Sequence, residues 1–306
     1  MTRKDTSRQD IYSRITDQIV AALEQGVKPW TRPWNAAHAA GHVSKPLRFN
    51  GEAYSGINVL TLWASAMERD FAAPIWMTFR QAKELGAHIR KGEKGAPVVY
   101  ANSIVKTETD QASGDDVERT IPFMKGYTVF NVEQIEGLPS HYYALAEPAK
   151  NPDERIAYAE TFFAGLGIKI LNGGNSAYYR MASDHIQMPC FYVFFNAQSY
   201  YATLAHESTH WTRHPSRLDR SFDRKRFGDE GYAKEELVAE LGAAFLCADL
   251  GLKLEDRPDH AAYVASWLQV LKNDKRAIFA AAAHAQRAVD YLHGLQQPVT
   301  LSEAAE

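Results

Sequence analysis

Cysteine is nearly missing from this chain. Only Cys190 and Cys247 occur in 306 residues, with no Cys-x-x-Cys spacing, which excludes a disulfide framework and a thiolate zinc site and leaves two buried thiols as the expectation. Long apolar runs are missing too. None approaches the ~20 residues that span a bilayer. The start, Met1-Thr2-Arg3-Lys4-Asp5, leads into polar sequence rather than an apolar signal core. A soluble, cytoplasmic protein with no membrane partner is expected. Neither sign of charge dominates: Lys and Arg total 34 against 37 Asp and Glu, a net charge of −3, so any nucleic-acid face must be local. No internal repeat or long low-complexity tract occurs. What is present is ordinary globular composition, 45% hydrophobic and 23% charged, and enough length for about two domains of ~150 residues.

Periodicity organises the chain. Ile11, Ile15, Ile19, Ala22 and Leu23 mark an amphipathic helix over 11–23, stopped by Gly26 and Pro29. The stretch from Trp30 to Gly51 is rich in turn formers and aromatics and reads as an ordered, irregular arm. Helices are expected over 57–69 and 78–85, strands over 97–105 and 127–132, and an exposed hairpin loop over 107–119. Ala144 to Asp153, with Pro148 and Pro152, is the expected linker, dividing the chain into domains 1–145 and 150–306. Beyond it come a helix over 153–165, short strands over 168–171, 177–181 and 185–188, and helices over 199–213, 232–250, 258–271 and 274–293. The fold class expected is α+β in two domains.

One pentapeptide carries chemistry. His206-Glu207-Ser208-Thr209-His210 lies in a segment, 200–212, without Gly or Pro. The i, i+4 spacing sets both imidazoles on one helix face, where two ring nitrogens can bind one Zn²⁺. Glu207 is then placed to take a proton from a metal-activated water and pass it to a leaving amine. The same pentapeptide also arises in helices that merely pack two histidines. The apolar residues around it, Phe191 to Phe195, Tyr201, Leu204 and Ala205, point to a core helix, where a buried His pair needs a partner.

A catalytic zinc needs a third protein ligand. Positions 213 and 216 are Arg and Ser, so the extended HExxHxxGxxH register is absent. Glu235-Glu236-Leu237-Val238-Ala239-Glu240 supplies acids instead, with Glu236 and Glu240 four apart on a stripe that continues through Ala243, Ala244 and Cys247. Two carboxylates on a core-facing stripe need a partner. The pattern resembles glutamate zincins, in which the ligand precedes an acid by four residues. That resemblance implies Glu236 as the ligand and Glu240 as acceptor for a His N–H, the reverse assignment remaining open. Glu235 is expected to face water or a basic loop. His185 and His214 are read as surface or structural histidines. Tyr232 and Arg213 could reach the site as oxyanion stabilisers. The strand 185–188, followed by Pro189, is read as an edge that could bind extended peptide by strand addition.

The first half has a different character. Between Lys28 and Tyr100 ten basic residues meet five acids, among interleaved aromatic rings. Single-stranded nucleic acid calls for that mixture, bases stacking on rings while cations follow phosphates. Trp63, Trp76 and Phe79 lie in apolar contexts and read as core. The DNA-binding candidates are Trp30, Arg32, Trp34, Arg48, Tyr54, Lys91 and Lys94, with Trp30, Trp34 and Tyr54 as exposed stacking platforms. Arg90-Lys91-Gly92-Glu93-Lys94-Gly95 could approach a phosphate but is not a Walker motif.

Ordered motifs now add up. Trp30-x-Arg32-Pro33-Trp34, Tyr54-Ser55-Gly56-Ile57-Asn58, Trp76-x-Thr78-Phe79-x-Gln81-Ala82, Lys91-Gly92-Glu93-Lys94-Gly95 and Val129-Phe130-Asn131-Val132-Glu133-Gln134 mark the first half. Asp184-x-Ile186-x-x-Pro189, His206-Glu207-x-x-His210-Trp211-Thr212 and Glu235 to Glu240 mark the second. In this order the chain resembles the ArdC-type antirestriction proteins of conjugative plasmids, whose N-terminal domain is also similar to that of TraC-type plasmid primases. The resemblance implies a single-stranded-DNA-binding domain joined to a zincin-like metallopeptidase domain, protecting incoming plasmid DNA from host restriction during conjugation.

The resulting expectation is a gluzincin-like site with Zn²⁺, or Mn²⁺ or Co²⁺ in its place, held by His206, His210 and Glu236, with Glu207 as the catalytic base. Partners are single-stranded DNA and a protein, either host restriction enzymes or another substrate. Two rivals stay open: a DNA-dependent metalloprotease acting on DNA-bound proteins, and a non-catalytic DNA shield with a structural metal.

Overall fold

Helix 11–24 illustrates how the chain builds its core. The computed structural model describes residues 10–31, 44–109, 116–143, 152–222, 229–254 and 260–296. In α1 (Ile11–Glu24), Asp10 caps the first turn through the Tyr12 N–H, and Ile15, Ile19 and Leu23 are buried, the stripe that a 3.6-residue period predicts. After it come β1 (Leu47–Arg48), α2 (Ile57–Arg69), β2 (Ile75–Met77), α3 (Phe79–Glu84), β3 (His88–Ile89), β4 (Ala96–Thr109), β5 (Asp116–Asn131) and β6 (Ile135–Glu136). Strand order β1-β2-β5-β4 forms one sheet, and β3 pairs with β6. α3 starts on a capping box in which Thr78 and Gln81 satisfy each other's backbone N–H.

The hairpin differs from expectation. β4 and β5 stay in antiparallel register from Ala96↔Val129 to Thr109↔Asp116, so pairing runs through most of the segment read as loop. Pairing of two antiparallel strands is made by backbone N–H and C=O groups, whatever the polarity of the side chains, so a polar segment can still be strand. The linker expected over 144–153 falls mostly outside the described residues.

The second half holds α4 (Pro152–Gly165), β7 (Ile170–Asn172), β8 (Tyr178–Arg180), β9 (His185–Met188), α5 (Ala197–Trp211), α6 (Glu230–Leu250), α7 (His260–Asn273) and α8 (Ala277–Gly294). The sheet order is β7-β9-β8. This corrects the reading of 185–188 as an edge: β9 is central, parallel to β7 and antiparallel to β8, so no peptide can add to it. Pro189 lies just past the strand and removes no ladder bond.

α6 is the axis of the molecule. Of its 21 residues 16 are buried, so it has apolar neighbours on nearly every side. α5 meets it at Gly242, where an added Cβ would sit 2.5 Å from Thr209 Cγ2. Only a residue without a side chain lets these two helices approach so closely. The core does not stop at the linker. One buried cluster includes residues of both halves, with Trp63 against Phe245 at 6.0 Å and Trp30 against Trp267 at 6.2 Å between ring centroids. Thr16 Oγ1 also donates to Lys275 O at 2.7 Å. Among the described residues, no helix is long and apolar enough to cross a membrane.

Candidate metal centre

α5 and α6 bring the site together. Asn196 caps α5 through the Ser199 N–H, and Asp229 caps α6 through that of Tyr232. The i, i+4 step along α5 leaves His206 Nε2 and His210 Nε2 3.2 Å apart. Glu236 projects from α6 with Oε2 3.5 Å from His206 Nε2 and Oε1 3.6 Å from His210 Nε2. One ligand atom from each of the three lies within 4.8 Å of the others. Two imidazoles and a carboxylate, nearly buried and converging, are the donor set that Zn²⁺ and similar divalent ions take. The residues present therefore fit such an ion. Glu207 is buried at 3% exposure, turned roughly 100° around the helix from His206 by the helical step.

Glu235 stands where the sequence reading did not put it. It does meet a basic loop residue, Arg220, but deep inside, at 2% exposure. Its Oε1 lies 3.0 Å from His210 Nδ1, and both oxygens accept from Arg220 at 2.8 Å. Arg220 also donates to Thr212 Oγ1 and Thr209 O, at 3.0 and 2.9 Å. Burial works against a charged Glu235, but Arg220 and His210 outweigh it and bring the carboxyl down to about 2. Burial likewise disfavours a charged His210. Glu236 and Glu235 outweigh it and lift the imidazole to about 10. Glu236 is held well below the usual carboxylate range by the two histidines, against its own burial. Carboxylate, His and guanidinium thus form a chain that fixes the His210 ring.

Glu240, one turn after Glu236, has Oε2 3.9 Å from His206 Nδ1. Its other oxygen accepts from Trp30 Nε1 at 3.2 Å and lies 3.6 Å from Lys28 Nζ. Trp30 is therefore no exposed platform: it is completely buried. Tyr54 is also buried, with the Arg48 guanidinium 5.4 Å from its ring centroid. Both corrections have one cause. Turn-rich segments can still be covered by distant elements, here α6 and α7 for Trp30. Arg32 and Trp34 lie outside the described residues. Arg48, Lys91 and Lys94 are exposed. The turn bearing the two lysines is locked by Arg90–Glu93 at 3.0 Å and by Gln134, which donates to Glu93 and to Lys94 O.

Of the spare histidines, His185 Nδ1 faces Ser183 Oγ at 2.9 Å and His214 Nδ1 faces Ser216 Oγ at 2.7 Å, local structural partners both. Tyr232 does border the site. Its hydroxyl meets that of Tyr263 at 2.9 Å, and burial first, then Tyr263 and Glu236, push its ionisation up. Arg213 closes the turn after α5, donating its N–H to His210 O.

Comparison with known proteins matches this layout. Residues 157–284 fit the model of the zincin-like metallopeptidase family, and residues 9–130 fit that of the N-terminal domain of the anti-restriction factor ArdC. The architecture is thus an ArdC N-terminal region followed by a zincin-like region. The y4eC protein of Sinorhizobium fredii (strain NBRC 101917 / NGR234) is 44% identical over 299 residues, covering 96% of this chain and 95% of that protein. The DNA primase TraC of Escherichia coli is 38% identical over 305 residues, but these make up only 28% of the primase. The metal-free crystal structure of the antirestriction ArdC protein from plasmid R388 superposes with a TM-score of 0.77 at 47% identity, covering 94% of this chain and 100% of that one. The Mn(II)-bound structure of that protein gives 0.74 at 46% identity, covering 94% and 98%. The chain belongs to the ArdC antirestriction family.

Proposed function

We propose that this chain is an antirestriction protein that protects incoming plasmid DNA, joining a single-stranded-DNA-binding first half to a divalent-metal site of metallopeptidase type. The observation that carries the metal half is the convergence of His206, His210 and Glu236 within 4.8 Å. The Mn(II)-bound relative supports a divalent ion in such a fold. The donor set suits Zn²⁺, with Mn²⁺ or Co²⁺ as substitutes.

An ion bound there would supply Lewis-acid chemistry to water and to a peptide carbonyl. The protein residues do the rest. With an ion bound and His210 neutral, Glu235, itself held by Arg220, would accept from His210 Nδ1 and fix one tautomer and orientation, and Glu240 lies 3.9 Å from His206 Nδ1. Glu207 takes a proton from the attacking water and returns it to the leaving amine. Metal analysis after dialysis against zinc tests the ligand set. One ion per chain is expected, falling to none in His206→Ala; full occupancy in that variant would reject the assignment.

The DNA half is supported by exposed cations and rings. Besides Arg48, Lys91 and Lys94, the hairpin carries Tyr100 and Phe123, both exposed, with ring centroids 6.1 Å apart. Lys125 is the cross-strand partner of Tyr100. A Tyr100→Ala/Phe123→Ala double variant should weaken single-strand binding by ~10-fold or more, given ~1–3 kcal/mol per stacked base. Gel shifts at two salt concentrations check this; duplex preference or salt-independent binding would contradict it. Primase activity belongs to a far longer relative and is not carried over.

A further inference from the structure

We infer that the first half of the chain helps to build the metal centre, with Lys28 and Trp30 acting as positioning residues that hold Glu240 against His206. This rests on the reading of His206, His210 and Glu236 as metal ligands. Glu240 is 1% exposed, and a carboxylate so placed costs several kcal/mol unless donors meet it. The donors come from over 200 residues away in sequence. Trp30 Nε1 gives a hydrogen bond of 3.2 Å and Lys28 Nζ an ion pair of 3.6 Å, both to Oε1. The other oxygen, Oε2, lies 3.9 Å from His206 Nδ1, an electrostatic approach longer than a hydrogen bond.

The segment that carries these donors is itself pinned. Val27 N–H bonds to Ala22 O and Thr31 N–H to Lys28 O, at 2.9 and 3.1 Å, so the turn after α1 is closed at both ends. The Trp30 ring then lies edge-on to Trp267, and Trp267 stacks on Tyr263 at 6.3 Å. A rotation of this turn would therefore withdraw both donors from Glu240. A carboxylate facing one imidazole nitrogen fixes the tautomer that offers the other to an ion, and such partners typically change metal affinity ~10–100-fold. His210 draws this support from Glu235 within the second half. The carboxylate nearest His206 Nδ1 in that role is Glu240, at the longer distance of 3.9 Å, and its donors come from the first half.

The test is zinc affinity of the full chain, measured against a competing chelator. The melting temperature of the metal-free protein and the visible spectrum of the cobalt-substituted protein are followed alongside. Trp30→Phe keeps a ring but loses the N–H donor. Lys28→Met loses the charge, and Lys28→Arg restores it. Trp30→Phe and Lys28→Met should each weaken zinc binding by about 10-fold and alter the cobalt bands. Lys28→Met should also lower the metal-free melting temperature, because buried Glu240 loses its counter-charge, and Lys28→Arg should recover most of both the affinity and the stability. Wild-type affinity in both weakening variants, alongside loss in His206→Ala, would overturn this inference and leave the ligand assignment standing. Weakening that tracks a lower metal-free melting temperature, with unchanged cobalt bands, would also overturn it. Failure of the wild type to bind zinc, or undiminished binding by His206→Ala, would remove the ligand assignment and this inference together.

Discussion

Glu207→Gln is expected to lower the proposed peptide hydrolysis ~10²–10⁴-fold, the usual contribution of a positioned general base, while zinc binding stays at the wild-type value. The substitution preserves side-chain volume while replacing the carboxylate, which can take up a proton, by a neutral amide, which cannot. The proposed ligands are His206, His210 and Glu236, whose ligand atoms lie within 4.8 Å of one another, so the substitution leaves that set intact. Zinc analysis and a casein or autolysis assay on one preparation separate the two roles. Undiminished hydrolysis would remove Glu207 from the chemistry, and loss of zinc would make it a structural support of the site. The same variant bears on biology: if it still protects DNA in a restricting host, shielding rather than proteolysis is the antirestriction mechanism.

Glu235→Ala should be the most destabilising single change around the centre. It strands the Arg220 guanidinium, buried with only 1% of its side chain exposed, and strips the His210 ring of its acceptor. Breaking one side of a buried pair costs about 3–5 kcal/mol. Urea denaturation of the metal-free protein should show that loss. A second variant, Arg220→Met/Glu235→Leu, should recover much of it, because no charge is then left without its partner. If Glu235→Ala unfolds at the wild-type urea concentration, the chain from Arg220 through Glu235 to His210 is not what holds this region together.

How much was legible beforehand depended on how local each signal is. The His206–Glu207–His210 arrangement needs only four consecutive helical steps, and the helix that carries it could be read from a stretch without Gly or Pro. Glu236 and Glu240 could be placed together on a stripe for the same reason. Glu235 could not, because periodicity assumes that a helix has a wet side. α6 has almost none: Leu237, Val238, Leu241 and Phe245 are all buried. An acid in a helix apolar on every side has to be paired, and that density of apolar residues was the available signal.

Trp30 failed for the opposite reason. Its neighbours in sequence are turn formers, and what buries it, Trp267 and Glu240, is remote in the chain. Pro189 makes 185–188 read as an edge, yet it follows the strand rather than interrupting it, and β9 pairs on both sides. The hairpin reads short because its polar stretch looks like a loop, whereas backbone pairing between β4 and β5 continues from Ala96↔Val129 to Thr109↔Asp116.

The proposed function stands on one divalent ion held jointly by α5 and α6. Anomalous diffraction from zinc-soaked crystals measures this directly. A single peak is expected at ~2.0–2.2 Å from a ring nitrogen of His206, one of His210 and a carboxylate oxygen of Glu236. A peak at other residues, or none at these three in protein that binds zinc in solution, would place the metal site elsewhere.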